Sequence, residues 1–169
     1  MGLKRRLTDL SYRLYDRSRH RSAFDVSARP GTAPDFSGLR EGKYALLVTF
    51  RRDGTPVPTP VWYALHDDRR LVLSTEERTA KVRRVRHDAH ARVIPSDARG
   101  KPLGPGVEAT ARVLTDPAEI DAAEAALDAK YGRSRRIYEK VMTDHAATAY
   151  VELAPGTDEF PGASPSEGT

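Results

Sequence analysis

Apolar and polar residues in the middle of the chain follow the pattern of short β-strands separated by turns. Runs of apolar, β-branched and aromatic residues predict six strands, over residues 44–50, 56–65, 71–75, 90–95, 106–114 and 148–153. The run 106–114 alternates between apolar and polar positions, so one of its faces is expected to be buried. Asp53-Gly54, between the first two runs, is typical of a β-hairpin turn.

Prolines occupy every second position at the start of the second run, at Pro56, Pro58 and Pro60. A proline cannot donate a hydrogen bond to a neighbouring strand. This part of the chain is therefore expected at a sheet edge, at a bulge, or as a wall that faces a ligand.

Three helices are predicted around the strands. Thr79 is suited to cap a short helix over residues 80–86, in which Val82 and Val85 face the core. An alanine-rich helix over 118–130 begins after Pro117, and a further helix is expected over 134–142. Six strands with a few flanking helices predict an α+β fold, a small β-barrel.

The two ends of the chain differ from this central part. Leucines recur at steps of three and four near the N-terminus and predict an amphipathic helix that packs on the barrel or on a partner subunit; they are Leu3, Leu7, Leu10 and Leu14. Residues 27–38 are rich in turn formers and predict a linker. The predicted organisation is a basic helix with linker over 1–38, a barrel domain over 39–154, and a disordered tail over 155–169.

Charge and composition narrow the function. The net charge of +4 arises in the N-terminal arm, since residues 1–30 carry eight Lys or Arg and three Asp, which is +5 and leaves −1 elsewhere. Nucleic-acid binding would call for aromatic residues interleaved with the basic ones on an exposed sheet, but the arm offers only Tyr12 and Tyr15, and membrane contact is the less favoured alternative. There is no cysteine, no apolar run long enough to cross a bilayer and no signal peptide, so a cytoplasmic protein is expected.

The segment from Ser74 to Arg84 carries the clearest candidate chemistry. Two hydroxyls, of Ser74 and Thr75, end a strand, a helix starts at Thr79, and Lys81 and Arg84 lie three residues apart on that helix. Hydroxyls, free helix N–H groups and cations are what a phosphate group requires. The alternative is a solvated basic helix without a ligand.

Other chemistries find no support in the sequence. The loop from Gly100 to Gly106 lacks both the Rossmann and the Walker spacing. The histidines show no metal-ligand spacing, so no metal site is predicted. The serines lack a nucleophile-elbow sequence, which removes support for a hydrolytic triad.

Four segments in this order resemble a known family. They are Arg52-Asp53-Gly54-Thr55-Pro56-Val57-Pro58-Thr59-Pro60-Val61-Trp62-Tyr63, the helix Thr79–Arg86, the strand and loop from Asp97 to Ala111, and Lys130-Tyr131-Gly132. Together they are similar to the deazaflavin (coenzyme F420)-dependent branch of the pyridoxamine 5'-phosphate oxidase-like split β-barrel family. The resemblance covers about residues 44–153.

The resemblance implies a homodimer with two cofactor sites at the subunit interface. It assigns the flavin-like ring to the strand of Pro58, Thr59, Pro60, Val61 and Trp62, and the phosphate to Ser74, Thr75, Thr79, Lys81 and Arg84. Arg51 and Arg78 are further candidates, for the acidic tail of the cofactor. No Arg-Leu-x-Pro ending is present, which argues against pyridoxamine-phosphate oxidase activity itself.

The implied function is an F420-dependent oxidoreductase that transfers hydride to or from a small conjugated substrate. The cofactor would supply the chemistry, which agrees with the absence of a recognisable catalytic dyad, and no catalytic residue is assigned. Two alternatives stay open: an enzyme of the same fold that uses flavin mononucleotide (FMN), and a non-enzymatic protein that binds a cofactor or a tetrapyrrole.

Overall fold

A single antiparallel sheet dominates the described part of the chain. The computed structural model describes residues 20–66, 69–132 and 147–156. The strands are β1 (Tyr44–Phe50), β2 (Pro56–Trp62), β3 (Ala64–His66), β4 (Arg70–Glu76), β5 (His90–Ser96), β6 (Val107–Val113) and β7 (Thr148–Pro155). They are paired in the order β2-β1-β5-β6-β7-β4-β3.

The predicted second strand, 56–65, is divided into two strands at Tyr63. β2 pairs with β1 at one edge of the sheet, and β3 pairs with β4 at the other edge. Because these two edge strands are consecutive in the chain, the sheet must curl until its edges meet at Tyr63. The α+β split β-barrel is confirmed, with seven described strands in place of the six predicted.

The prolines of β2 lie on an edge strand, as their spacing indicated. Pro56, Pro58 and Pro60 are opposite Phe50, Val48 and Leu46 of β1. A proline in an antiparallel edge strand is tolerated where its missing N–H would point away from the neighbour. The outer edge of β2 therefore offers backbone carbonyls without amides at these positions and is a poor template for another strand.

The hairpin between β1 and β2 has the predicted turn. Gly54 has a positive φ of 79°, which glycine adopts without strain. Its N–H donates to the carbonyl of Arg51 at 2.9 Å, and the Asp53 carboxylate accepts from the N–H of Thr55 at 3.0 Å. The turn thus fixes the register of β1 against β2.

Three α-helices and one 3₁₀ turn flank the sheet in the described residues: α1 (Ser22–Ser27), the 3₁₀ turn Phe36–Leu39, α2 (Ala80–His87) and α3 (Pro117–Tyr131). Asp116 caps α3 by accepting from the N–H groups of Ala118 and Glu119. The helices predicted over 80–86 and 118–130 are confirmed. The amphipathic N-terminal helix, the helix over 134–142 and the tail beyond 156 lie outside the described residues.

Apolar side chains cluster on both faces of the sheet. The main core fills the inside of the curl and includes Leu47, Tyr63, Leu73 and Leu153. On the outside, α3 packs on β3 and β4 through Ala123 and Leu127, and α1 covers Leu46, Val48 and Ile94. No helix in the described ranges is long and apolar enough to span a membrane.

The segment before β1 packs against the barrel, although its turn formers predicted a linker. Phe36 and Leu39 are buried in the main core, and Ala23 of α1 is fully buried. The N–H groups of Thr32 and Ala33 both donate to the carbonyl of Gly106, at 2.8 and 2.9 Å. Residues 20–39 therefore form a strap that is continuous with the barrel domain.

A charged pair on the sheet, Arg92 and Glu108, hydrogen-bonds to the backbone of the strap. Arg92, which is buried, donates to the carbonyl of Ser27 at 2.7 Å and to the carboxylate of Glu108. Glu108 also accepts from the N–H of Gly31. Burial opposes ionisation of Glu108, but hydrogen bonds from Gly31, Arg92 and His90 hold its pKa below the usual value. The strap is thus attached through a carboxylate that remains charged.

Replacing Gly31 with alanine should loosen this attachment. A Cβ on Gly31 would lie 2.7 Å from the backbone nitrogen of Glu108 and 2.8 Å from the carbonyl oxygen of Gly106, so backbone must move. We expect Gly31→Ala to lower the free energy of unfolding by about 1–3 kcal/mol, measured by urea denaturation. Gly38→Ala is the matched control, because its nearest neighbour would be 3.8 Å away. Equal stability of the two variants would contradict this packing.

Candidate functional site

The barrel is open beyond Tyr63, where β2 and β4 separate. β3 pairs with β4 through Ala64 and Val72. Continuing that register would place Trp62 opposite Ser74, but in the described sheet β2 pairs only with β1. β2 and the end of β4 therefore form the two sides of a split, and the two groups of predicted site residues lie on these two sides.

Helix α2 closes the barrel at the end of β4. Val82 and Val85 are buried, and Val85 belongs to the main core. The helix contacts β1 and β6. The Arg84 guanidinium donates from Nε to the hydroxyl of Thr49 at 2.7 Å, and Thr49 is buried on β1. Arg84 is thus hydrogen-bonded to another residue of the protein. No local sequence pattern predicts this contact.

Thr79 precedes α2 and has the least satisfied side chain of this region. Its backbone is extended, with φ −70° and ψ 154°, as a helix cap requires, yet its side chain makes no capping hydrogen bond. Its Oγ1 is buried and has no hydrogen-bond partner within the described part of the chain. A buried hydroxyl without a partner is costly to the folded protein, so the atom is suited to a ligand that supplies one.

Lys81 and Arg84 are half-buried, which differs from the fully solvated basic helix that was the alternative interpretation of this segment. They lie three residues apart on α2, within the first turns after Thr79. The N-terminal N–H groups of a helix and nearby cations favour an anion at the same place. Thr79, Lys81 and Arg84 are therefore grouped by one short helix.

Ser74 and Thr75 are not presented to the same side of the sheet. Successive residues of a strand point to opposite faces. Thr75 follows the inward positions of Leu71 and Leu73, which belong to the main core. Ser74 is opposite Tyr150 of β7, on the outer face. Because the two hydroxyls lie on opposite faces of β4, at most one of them can contact a given anion, and this separation follows from strand periodicity alone.

The strand predicted to line a cofactor ring uses most of its side chains for packing. Val61 belongs to the main core, and Pro58 and Pro60 are buried. A Cβ at Gly100 would lie 3.2 Å from the ring of Pro60 and 3.5 Å from Ala23, so the loop after β5 and α1 cover that proline. Thr59 is partly exposed on the inner face. This strand presents its backbone edge to the split, rather than its face.

Trp62 ends β2 within an aromatic group on the outer face. Its ring stacks on Tyr131 of α3, with centroids 5.2 Å apart and planes inclined by 17°. Tyr44 meets it edge-on at 6.2 Å. The Tyr44 contact follows from the hairpin register, but the Tyr131 contact depends on how α3 docks and was not predicted from the sequence. The indole is thus held from two sides at the rim of the split.

The Tyr131 hydroxyl also hydrogen-bonds to the backbone of Tyr63, the residue at which the chain passes from one edge of the sheet to the other. It accepts from the N–H of Tyr63 at 3.1 Å and lies 2.7 Å from the carbonyl oxygens of Lys43 and Tyr63. The Tyr63 hydroxyl donates to the carbonyl of Leu39. Burial raises the pKa of Tyr63 above the usual value, so this phenol remains a neutral donor.

The remaining predicted residues lie at the surface. Arg51 is exposed in the hairpin turn, and Arg78 is exposed in the turn before α2. Arg78 precedes α2, and Arg51 lies two residues after Thr49, which accepts from Arg84 of α2. Arg51 and Arg78 are therefore both at the α2 end of the barrel. In the described ranges, no three histidine, aspartate or glutamate side chains converge as metal ligands.

Comparison with known proteins identifies the family. The family model for pyridoxamine 5'-phosphate oxidase matches residues 36–157, which is more than half of the chain. The chain therefore belongs to the pyridoxamine 5'-phosphate oxidase family, and the resemblance found in the sequence is confirmed at that level. No curated protein matches the sequence.

Solved structures of low sequence identity share the fold. Conserved hypothetical protein Rv2991 from Mycobacterium tuberculosis has a TM-score of 0.53 at 19% identity, covering 69% of this chain and 75% of its own. HutZ, a heme storage protein from Vibrio cholerae, has 0.54 at 12%, covering 71% and 86%. An FAD-binding protein from Mesorhizobium loti has 0.50 at 16%, covering 69% and 82%.

Replacing Thr79 with valine should stabilise the protein without ligand. Valine has a similar shape and removes the buried hydroxyl, which makes no cap hydrogen bond to lose. We expect Thr79→Val to raise the free energy of unfolding by about 1 kcal/mol, measured by urea denaturation. Thr115→Val, at an exposed position, is the control and should change stability little. A clear loss of stability in Thr79→Val would show that the hydroxyl is satisfied within the protein.

Proposed function

We propose that this protein binds a phosphorylated flavin-type cofactor at the split of the barrel, with coenzyme F420 as the leading candidate, and that it is an oxidoreductase. The observation that carries the proposal is the buried, unpartnered Oγ1 of Thr79 at the start of α2. In this proposal the Thr79 hydroxyl donates to a phosphate oxygen, which supplies its missing hydrogen-bond partner.

The residues around Thr79 fit a phosphate group. The first N–H groups of α2 offer donors and a partial positive charge. Lys81 adds a full charge on the same turn, and Arg84, whose Nε donates to Thr49, adds a second positive charge nearby. Arg51 and Arg78, exposed at the same end, are proposed for an acidic tail.

The β2 edge and Trp62 fit the ring of such a cofactor. The edge offers carbonyls without amides at its prolines, and the pyrimidine part of a flavin or deazaflavin carries an N–H that can donate to a carbonyl. Trp62, fixed by Tyr131 and Tyr44, adds an aromatic rim. We propose that the backbone of Pro58–Trp62, more than its side chains, positions the ring.

The choice of F420 over FMN depends on the sequence. The four motifs of the chain resemble the deazaflavin-dependent branch of the family, whereas a phosphate site at Thr79 would serve either cofactor. The fold by itself does not select, because it is shared by proteins described as FAD-binding and as heme storage. FMN is therefore the alternative cofactor, and non-enzymatic cofactor or tetrapyrrole binding is the alternative function.

When bound, a reduced deazaflavin supplies the hydride, and a small conjugated organic molecule is proposed as the substrate. The residues of this chain bind, orient and shield. Thr79 and Lys81 anchor the phosphate, and the β2 edge sets the orientation of the ring, which is the larger requirement for hydride transfer. A second copy of the chain is proposed to cover the open side of the split, in a homodimer with two sites.

Isothermal titration calorimetry tests the phosphate site by measuring the affinity of three ligands. They are F420, FMN and riboflavin, which has the FMN ring without the phosphate. We expect Lys81→Met to weaken F420 and FMN by about tenfold or more, because a charge-assisted contact is lost, and to leave riboflavin unchanged. Thr79→Val should show the same selectivity while remaining folded.

Arg83→Met is the matched control, because Arg83 is an exposed cation on the same helix and should alter all three affinities little. Tighter binding of F420 than of FMN by the unmodified protein supports the F420 assignment, and the reverse order supports FMN. Equal losses for riboflavin and FMN in Lys81→Met, or no binding of F420 and FMN by the unmodified protein, would refute the proposed site.

A further inference from the structure

A cleft of about 420 Å³ lies beside β3 and the C-terminal part of α3, and none of its described lining residues is among those proposed for the cofactor. It is lined by Arg40, Ala64, Leu65, Ala126, Ala129 and Lys130. Its volume falls within the range of small-molecule sites, about 300–1,000 Å³. Of these described lining residues four are apolar, two are cations and none is an acid.

Lys130 is held in this cleft by an aromatic ring. Its Nζ lies 3.6 Å from the centroid of the Tyr63 ring and 5.6 Å from that of Tyr131. A ring face attracts an ammonium group but accepts no conventional hydrogen bond from it. Among the described residues no side chain or carbonyl accepts from Nζ, and the group is half-buried. Its donors are therefore available to a molecule in the cleft.

The environment of Lys130 favours an anion as that molecule. Burial lowers its pKa to about 8, which means that the charged form has lost hydration without gaining a counter-charge. Arg40, the other cation of the lining, is exposed and directly follows the strap in the chain. A carboxylate beside Lys130 would supply the counter-charge that its ammonium group lacks among the described residues, and the apolar part of the molecule would lie on Ala64, Ala126 and Ala129.

We propose that this cleft is a second ligand site, which binds a small organic monoanion with an apolar body, such as an aromatic or short aliphatic carboxylate. The acid group lies between Lys130 and Arg40, and the apolar group packs on the alanines of α3 and on β3. The inference stands independently of the cofactor assignment, since it uses none of the residues proposed for phosphate or ring.

Titration of the ¹⁵N-labelled protein with benzoate tests the site by NMR. We expect saturable shifts of the amide signals of Ala126 and Ala129, and far smaller shifts with benzamide, which has the same ring without the charge. Lys130→Met keeps most of the apolar stem and should weaken benzoate by about tenfold. Arg40→Gln, at an exposed position, should also weaken it. Lys101→Met is the control, an exposed lysine in the loop after β5.

Several results would overturn the inference. If benzoate at about tens of millimolar does not shift the signals of Ala126 and Ala129, or if benzamide shifts them equally, the cleft does not select an anion. If Lys130→Met unfolds, Arg40→Gln decides: unchanged benzoate affinity in that variant refutes the site. An equal loss in Lys101→Met would show a general effect of protein charge, which also refutes it.

Discussion

The architecture depends on the way one buried residue, Tyr63, joins the two edge strands of the sheet. β2 and β3 belong to opposite edges, yet only this residue lies between them, so the sheet has to close at that point. The Tyr63 hydroxyl bonds to Leu39 of the strap, and its backbone bonds to the Tyr131 hydroxyl of α3. Three separate parts of the chain thus fix the corner, and burial of the phenol makes any loss of its partner costly.

The split follows from this closure at a single corner. Beyond Tyr63 the outer edge of β2 does not pair with β4, because Pro56, Pro58 and Pro60 supply no N–H groups to that edge. The end of β4 leads into α2, which packs Val85 into the main core. Thr79 precedes the first residue of this helix. An unsatisfied hydroxyl, a helix start and two cations therefore meet at one end of the opening. The geometry concentrates donors there and acceptors along the β2 edge.

Much of this could be predicted from local sequence. The Asp53-Gly54 turn fixed the hairpin, the prolines indicated an edge, and the position of Thr79 before an amphipathic helix was recognisable from residue types. The stacking of Trp62 on Tyr131 and the bond from Arg84 to Thr49 join residues 69 and 35 positions apart, and no local pattern encodes such contacts. Turn formers over residues 27–38 predict a linker, but they suit equally a segment whose amides donate to a neighbouring loop, as those of Thr32 and Ala33 do.

The most direct measurement is a crystal structure of the protein with F420 bound. We expect the phosphate at the start of α2, with an oxygen within hydrogen-bond distance of Thr79 Oγ1 and near Lys81, and the deazaflavin ring along the backbone edge of β2. A phosphate bound elsewhere, with Thr79 Oγ1 still unpartnered, would contradict the central claim while leaving the split-barrel fold in place.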